Sequence, residues 1–158
     1  MGRWLLLLVC LAVGLSQVEA ACCPLFWTAR GNRCYRFVGK SLDWHAAQSY
    51  CKGLDHRSNL VSLSNAGEGE FIQHLFAEKG GGLYSHYWTG LNDISSEGQY
   101  QWTGINRPLG GSNWNYNQPD NHGHNEDCVE VVTLSGYWND VHCSDKQPFI
   151  CERPRPGT

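Results

Sequence analysis

The chain has 158 residues, with 12 Lys and Arg against 15 Asp and Glu, for a net charge of −3. It contains no basic run or stripe, which argues against nucleic acid as a partner and removes the usual basis for membrane-surface attraction. The length suits one compact domain and is too short for two ordinary ones.

Residues 1–20 read as a secretory signal. Arg3 gives a short basic start, "WLLLLVCLAVGL" from Trp4 to Leu15 is an apolar run, and "VEA" at Val18 to Ala20 offers small residues for cleavage. The run falls short of the roughly 20 apolar residues of a membrane span. The expectation is therefore a secreted, extracellular product that begins at Ala21 and has no membrane insertion. Residues 21–152 form its domain and 153–158, "RPRPGT", a short C-terminal tail. With Cys10 removed, Cys22, Cys23, Cys34, Cys51, Cys128, Cys143 and Cys151 remain. Seven cysteines in an exported chain imply three bridges and one left over, and sequence alone does not give the pairing. The odd thiol predicts an interchain disulfide and hence a disulfide-linked homodimer.

In chain order, "FWTARGNRCYRFV" from Phe26 to Val38 alternates aromatic and polar residues around Gly31-Asn32 and predicts a hairpin. "SLDWHAAQSYCKG" predicts a helix, with Ser41 as its cap, Leu42, Ala46 and Tyr50 as its apolar face and Gly53 as its stop. "NLVSL" from Asn59 predicts a short strand. "SNAGEGEFIQHLFAEKGG" predicts a second helix capped by Ser64 or Asn65, with Phe71, Ile72, Leu75 and Phe76 inward and Gly80 as stop. Beyond Gly82 the helical period is lost. "YWTGL", "YQWTG", "CVEVV" and "PFICE" are strand candidates between loops rich in Gly, Asn, Ser and Asp. The class is α+β: two helices and a loop-rich, mainly antiparallel sheet.

Residues 107–127 carry no regular signal, and an ordered loop of that length is usually functional. Its end, "QPDNHGHNEDC" from Gln118 to Cys128, holds three carboxylates and two histidines with little that could enter a core, and "WND" follows at Trp138 to Asp140. A hard cation such as Ca²⁺ takes six to eight oxygens from carboxylates, amides, carbonyls and water. Gln118, Asp120, Glu126, Asp127, Asn139 and Asp140 supply that chemistry, and Pro119 stands where a cis peptide would turn its neighbours to one side. The plain reading is a solvated loop. A zinc site at His122 and His124 lacks HExxH, and no GxSxG elbow accompanies the Ser, His and Asp residues, so no enzyme is expected.

The set "YWTGL", "QPD", "NEDC", "WND" and "FICE", with six cysteines in order, resembles a C-type lectin domain from about Cys23 to Glu152. The opening "ACCPLFWTARGNRCYRF" is similar to soluble C-type lectins of invertebrate body fluid, for which innate immunity is the associated setting. The resemblance implies disulfides Cys23–Cys34, Cys51–Cys151 and Cys128–Cys143, leaving Cys22 for the interchain bond. It places a sugar-binding Ca²⁺ on Gln118, Asp120, Glu126, Asn139 and Asp140. It also places an auxiliary Ca²⁺ on Asp93, Glu97, Asn121, Glu126 and Asp127, where Asn121 replaces a more usual Asp. Gln-Pro-Asp implies galactose or N-acetylgalactosamine, held through its 3- and 4-hydroxyls. A tryptophan often stacks on the sugar two residues after the Asp; here that position is His122. The alternative is a structural or matrix protein, at a mineral or ice surface, on the same scaffold without sugar recognition.

Overall fold

The computed structural model describes residues 22–63, 65–105, 109 and 111–157. The expected signal segment 1–20, Ala21 and Ser64 lie outside those residues. The N-terminal hairpin forms as its sequence predicts. β1 (Thr28–Arg30) and β2 (Arg33–Leu42) pair antiparallel around Gly31, whose φ of 55° suits a residue without Cβ. After α1 (Trp44–Leu54), β3 (Asn59–Leu60) and α2 (Ala66–Gly80) come β4 (His86–Asn92), β5 (Gln101–Trp102), β6 (Cys128–Val132), β7 (Trp138–Val141) and β8 (Gln147–Pro154). The sheet runs β1-β2-β8-β4-β6-β7, with β3 on β8 and β5 on β4. Only the β4–β8 neighbours are parallel among the described strands, so the mainly antiparallel α+β class holds.

Both helices differ in detail from their predicted forms. Ser41 does not cap α1, because Ser41 and Leu42 extend β2; Asp43 is the cap and accepts from Ala46 N–H at 2.8 Å. The buried face of α1 is accordingly Trp44, Ala47 and Cys51, with Ala46 and Tyr50 only partly covered. Trp44 decides that registry. Its indole N–H donates to Thr89 O at 2.8 Å, a tertiary bond that the local apolar spacing does not reveal. Gly53 lies inside α1, which ends at Leu54. In α2 the cap is Asn65, whose side chain accepts from Glu68 N–H. The left-handed stop is Gly81 (φ 59°) and not Gly80, the last helical residue.

Two packed clusters hold these elements together. One joins Ile72, Leu75 and Phe76 of α2 to Tyr35, Tyr87, Trp102, Val129 and Trp138 on the sheet. The other packs Trp44 and Ala47 of α1 on Leu60, Trp88 and Phe149. Disulfides join Cys23–Cys34, Cys51–Cys151 and Cys128–Cys143. The second closes a separation of 100 residues, a constraint of about 4–5 kcal/mol in the chain-entropy model. Cys22 is itself disulfide-bonded, to a partner outside the described residues, and no free cysteine remains among the described ones. The interchain bond expected at Cys22 concerns a second copy of the chain and remains an expectation, as does the dimer built on it.

Glu152 on β8 is 2 % exposed. Its Oε1 meets Arg33 at 2.8 Å and accepts from Ser62 Oγ at 2.8 Å, while its Oε2 has no hydrogen-bond partner among the described residues. Burial pushes the carboxyl up to about 7, against the pull of Arg33 and Ser62. An acid with a raised folded pKa contributes stability fully below its unfolded value near 4.5, and that contribution is lost as pH rises towards 7. The loss is on the order of 3 kcal/mol. Glu152→Gln removes the titration. Urea unfolding will therefore show the variant matching the wild type at pH 4.5 and exceeding it at pH 8, despite the lost ion pair. A variant weaker at pH 8 than at pH 4.5, relative to wild type, would show that Arg33 outweighs desolvation.

Candidate functional site

The long loop returns to the sheet at one edge. Asn115 N–H donates to Trp138 O and Trp138 N–H to Asn113 O, both at 2.8 Å, so residues 113–115 run beside β7. Trp138 is buried against Trp102 and Trp114. That packing fixes the strand carrying Asn139 and Asp140 next to the loop carrying Gln118 and Asp120. The Gln118–Pro119 peptide is cis. The Cys128–Cys143 disulfide ties the start of β6 to the segment after β7.

Three predicted carboxylates come together here. Ligand oxygens of Asp120, Glu126 and Asp140 all lie within 4.8 Å of one another. Asp140 is 1 % exposed, Glu126 half-buried and Asp120 exposed. Asp140 organises the loop: Oδ1 accepts from Asp120 N–H at 3.2 Å, and Oδ2 from Asn121 N–H at 2.9 Å and Tyr100 O–H at 3.3 Å. Glu126 Oε2 accepts from His122 N–H at 2.7 Å, and Glu126 N–H donates to Asn121 Oδ1 at 3.0 Å. Gln118 Oε1 accepts from Asp120 N–H at 3.1 Å. Asn139 donates through Nδ2 to Glu130 Oε1 at 3.3 Å.

The charge arrangement fits a divalent cation. Among the described residues no Lys or Arg forms a salt bridge with any of the three carboxylates. Two like charges at 4 Å repel by roughly 1 kcal/mol in water and about 4 kcal/mol at an effective dielectric of 20. Burial pushes the Glu126 carboxyl above its ordinary range, and Asp140 and Asp120 raise it further. Such a cluster is costly without a cation and favourable with one, and its donors are the oxygens that Ca²⁺ takes.

The expected auxiliary set is looser. Asp93 is 1 % exposed; its Oδ2 accepts from Gly98 N–H at 2.8 Å, its N–H donates to Asp127 O at 3.1 Å, and its Oδ1 is buried without a hydrogen-bond partner among the described residues. Burial raises its carboxyl, with Glu97 and Asp127 adding to the rise. The charges of Glu97 and Asp127 therefore act on Asp93, and its orphan Oδ1 suits a cation. The three carboxylates do not close to the spacing of the first group. Asn121, in a left-handed conformation with φ 42°, spends its side-chain oxygen on Glu126 N–H.

His122 and His124 stand exposed on a 3-10 turn (His122–His124). Trp114 packs on Tyr100 at 4.8 Å between ring centroids and is half-buried, whereas Tyr116 is 88 % exposed. Sequence reading passed over two contributors, Tyr100 and Glu130. Glu130 had a visible signal, a carboxylate inside the apolar strand "CVEVV". Tyr100 had none, since its role depends on a residue 40 positions away.

The chain as a whole is similar to known proteins. The "Lectin C-type domain" family model matches residues 40–153. The chain is 34% identical over 158 residues to a protein from Hoplocephalus stephensii described as a C-type lectin galactose-binding isoform, covering 96% of this chain and 98% of that one. It is 35% identical over 144 residues to echinoidin from Heliocidaris crassispina, covering 84% and 97%. The crystal structure of C-type lectin CEL-I from Cucumaria echinata superposes with a TM-score of 0.77 at 29% identity, covering 82% of this chain and 96% of that one.

Proposed function

The chain belongs to the C-type lectin family of carbohydrate-binding domains, and from that membership we propose that it is a secreted, calcium-dependent lectin for galactose or N-acetylgalactosamine, without catalytic activity. The observation that carries the reading is the convergence of Asp120, Glu126 and Asp140 within 4.8 Å, free of a compensating cationic side chain among the described residues. Gln118, Asp120, Glu126, Asn139 and Asp140, the last also through its carbonyl, would hold Ca²⁺. Ca²⁺ supplies open coordination positions for two neighbouring sugar hydroxyls. The side chains share hydrogen bonds with those hydroxyls: Asp120 and Glu126 accept, while the amides of Gln118 and Asn139 offer donors.

Gln-Pro-Asp puts an amide and a carboxylate on opposite sides of the hydroxyl pair, and their order favours the galactose arrangement of the diol. The relative described as a galactose-binding isoform supports that choice. His122 occupies the place of the stacking tryptophan. Asp93, Glu97, Asn121, Glu126 and Asp127 would form the auxiliary Ca²⁺ site, weaker for its Asn at 121. Secretion rests on the N-terminal signal reading; among the described residues no helix is long and apolar enough to cross a membrane. The expected partners are glycans, with a place in innate immunity as the setting.

The test is retention on immobilised galactose in millimolar Ca²⁺, followed by a chelator. We expect retention, release by the chelator, and competition by free galactose ahead of mannose. Retention that ignores the chelator, or none at all, would favour a structural use of the scaffold.

A further inference from the structure

Glu130 lies on β6 directly across from Asn139 on β7 and is 5 % exposed. One oxygen accepts from Asn139 Nδ2 at 3.3 Å, the other from Gln147 Nε2 at 2.7 Å, and His86 Nε2 stands 3.9 Å from the first. Three strands, β4, β7 and β8, therefore each direct a polar side chain at this one buried carboxylate.

The two ends of an asparagine amide have nearly the same shape and opposite hydrogen-bonding character. A carboxylate accepts only, so it selects the Nδ2 end and turns Oδ1 away from itself. A flipped Asn139 would set oxygen against oxygen at Glu130 and present N–H groups where an oxygen donor is needed. We propose that Glu130 is a positioning residue that fixes the Asn139 amide with its oxygen available as a ligand, and that Gln147 holds Glu130 in place for this purpose. The proposal rests on the calcium reading above. Outer-shell partners of this kind contribute about 10- to 100-fold in metal affinity.

Glu130→Gln keeps the shape but not the selection, since a glutamine amide can face either end of Asn139. Ca²⁺ titration of the full secreted chain by calorimetry is expected to show about tenfold weaker binding for Glu130→Gln. In an Asn139→Ala background the same change is expected to have no further effect, because the residue it acts through is gone. Unchanged affinity in the first comparison, or an equal loss in both backgrounds, overturns the proposal. A wild type that binds no Ca²⁺ at millimolar concentration overturns the calcium reading itself and this proposal with it. A measurement without substitution guards against misfolding of the variant. In the wild type before Ca²⁺ is added, the Asn139 side-chain N–H₂ resonance should be shifted downfield and protected from exchange; an unprotected Asn139 amide there also overturns the proposal.

Discussion

Asp140→Asn will lower Ca²⁺ affinity by more than about 100-fold and abolish chelator-sensitive retention on galactose, while Tm in calcium-free buffer moves little. The affinity loss follows from charge. A unit charge at 4 Å from another is worth about 4 kcal/mol at an effective dielectric of 20, and the ion carries two charges, so even half of one such pair exceeds the roughly 2.7 kcal/mol of a 100-fold change. The small stability effect comes from two opposing consequences. Asp140 accepts from Asp120 N–H, Asn121 N–H and Tyr100 O–H, and an amide must turn its own donor end towards at least one of these donors, at a cost of about 1–3 kcal/mol. The same change removes one of three mutually repelling carboxylates, which returns a similar amount. Calorimetry with Ca²⁺ and calcium-free melting separate the two. An unchanged affinity sinks the assignment of Asp140 as a ligand. A collapse of Tm would mean that the loop rests on Asp140 far more than it suffers from the repulsion.

The parts of this fold legible in the sequence are those whose signals are local. The hairpin at Gly31 needs only a turn residue and alternation on either side, and α2 needs only its periodic apolar positions and a capping Asn65. The registry of α1 was not legible, because Leu42, Ala46 and Tyr50 give a plausible stripe while the decision is taken by Trp44, whose indole bonds to Thr89 O. Ser41 looks like a cap from its neighbours alone, yet β2 pairs with β8 as far as Leu42 opposite Gln147, and this long-range ladder claims it first.

The candidate site divides along the same line. Its oxygen donors are legible because a cation requires particular atoms, and such atoms in a sequence are few and clustered. Their supports are not, because Tyr100, Glu130 and Gln147 act from three separate stretches of chain that only the sheet order brings together. Asn121 illustrates the intermediate case. The sequence makes it a weak substitute for Asp at the auxiliary site, and the structure shows its side-chain oxygen bound to Glu126 N–H, within the loop that carries Asp120.

If the proposed galactose reading holds, exchanging Gln118→Glu together with Asp120→Asn will shift sugar preference from galactose towards mannose by about 100-fold overall, with Ca²⁺ affinity held within about threefold. The ligand charge is the same before and after, so the metal has little reason to respond. What changes is the side from which a coordinated hydroxyl meets a donor. In the wild type the Gln118 oxygen faces Asp120 N–H at 3.1 Å, leaving Nε2 as the end that can donate to a hydroxyl, with the Asp120 carboxylate accepting on the other side. The double variant exchanges these characters, and a diol that satisfied both groups now confronts acceptor with acceptor and donor with donor. One misplaced charge-assisted hydrogen bond at about 1.5–3 kcal/mol and one neutral bond at about 0.5–1.5 kcal/mol together reach the roughly 2.7 kcal/mol of a 100-fold change. Competition by galactose and mannose on a mixed glycan matrix, with calorimetric Ca²⁺ titration in parallel, measures both quantities. Loss of calcium binding would mean that the amide and carboxylate positions are not equivalent to the ion. Galactose preference retained with calcium still bound would move selectivity away from this pair, towards the exposed side chains of His122 and Tyr116 that flank it.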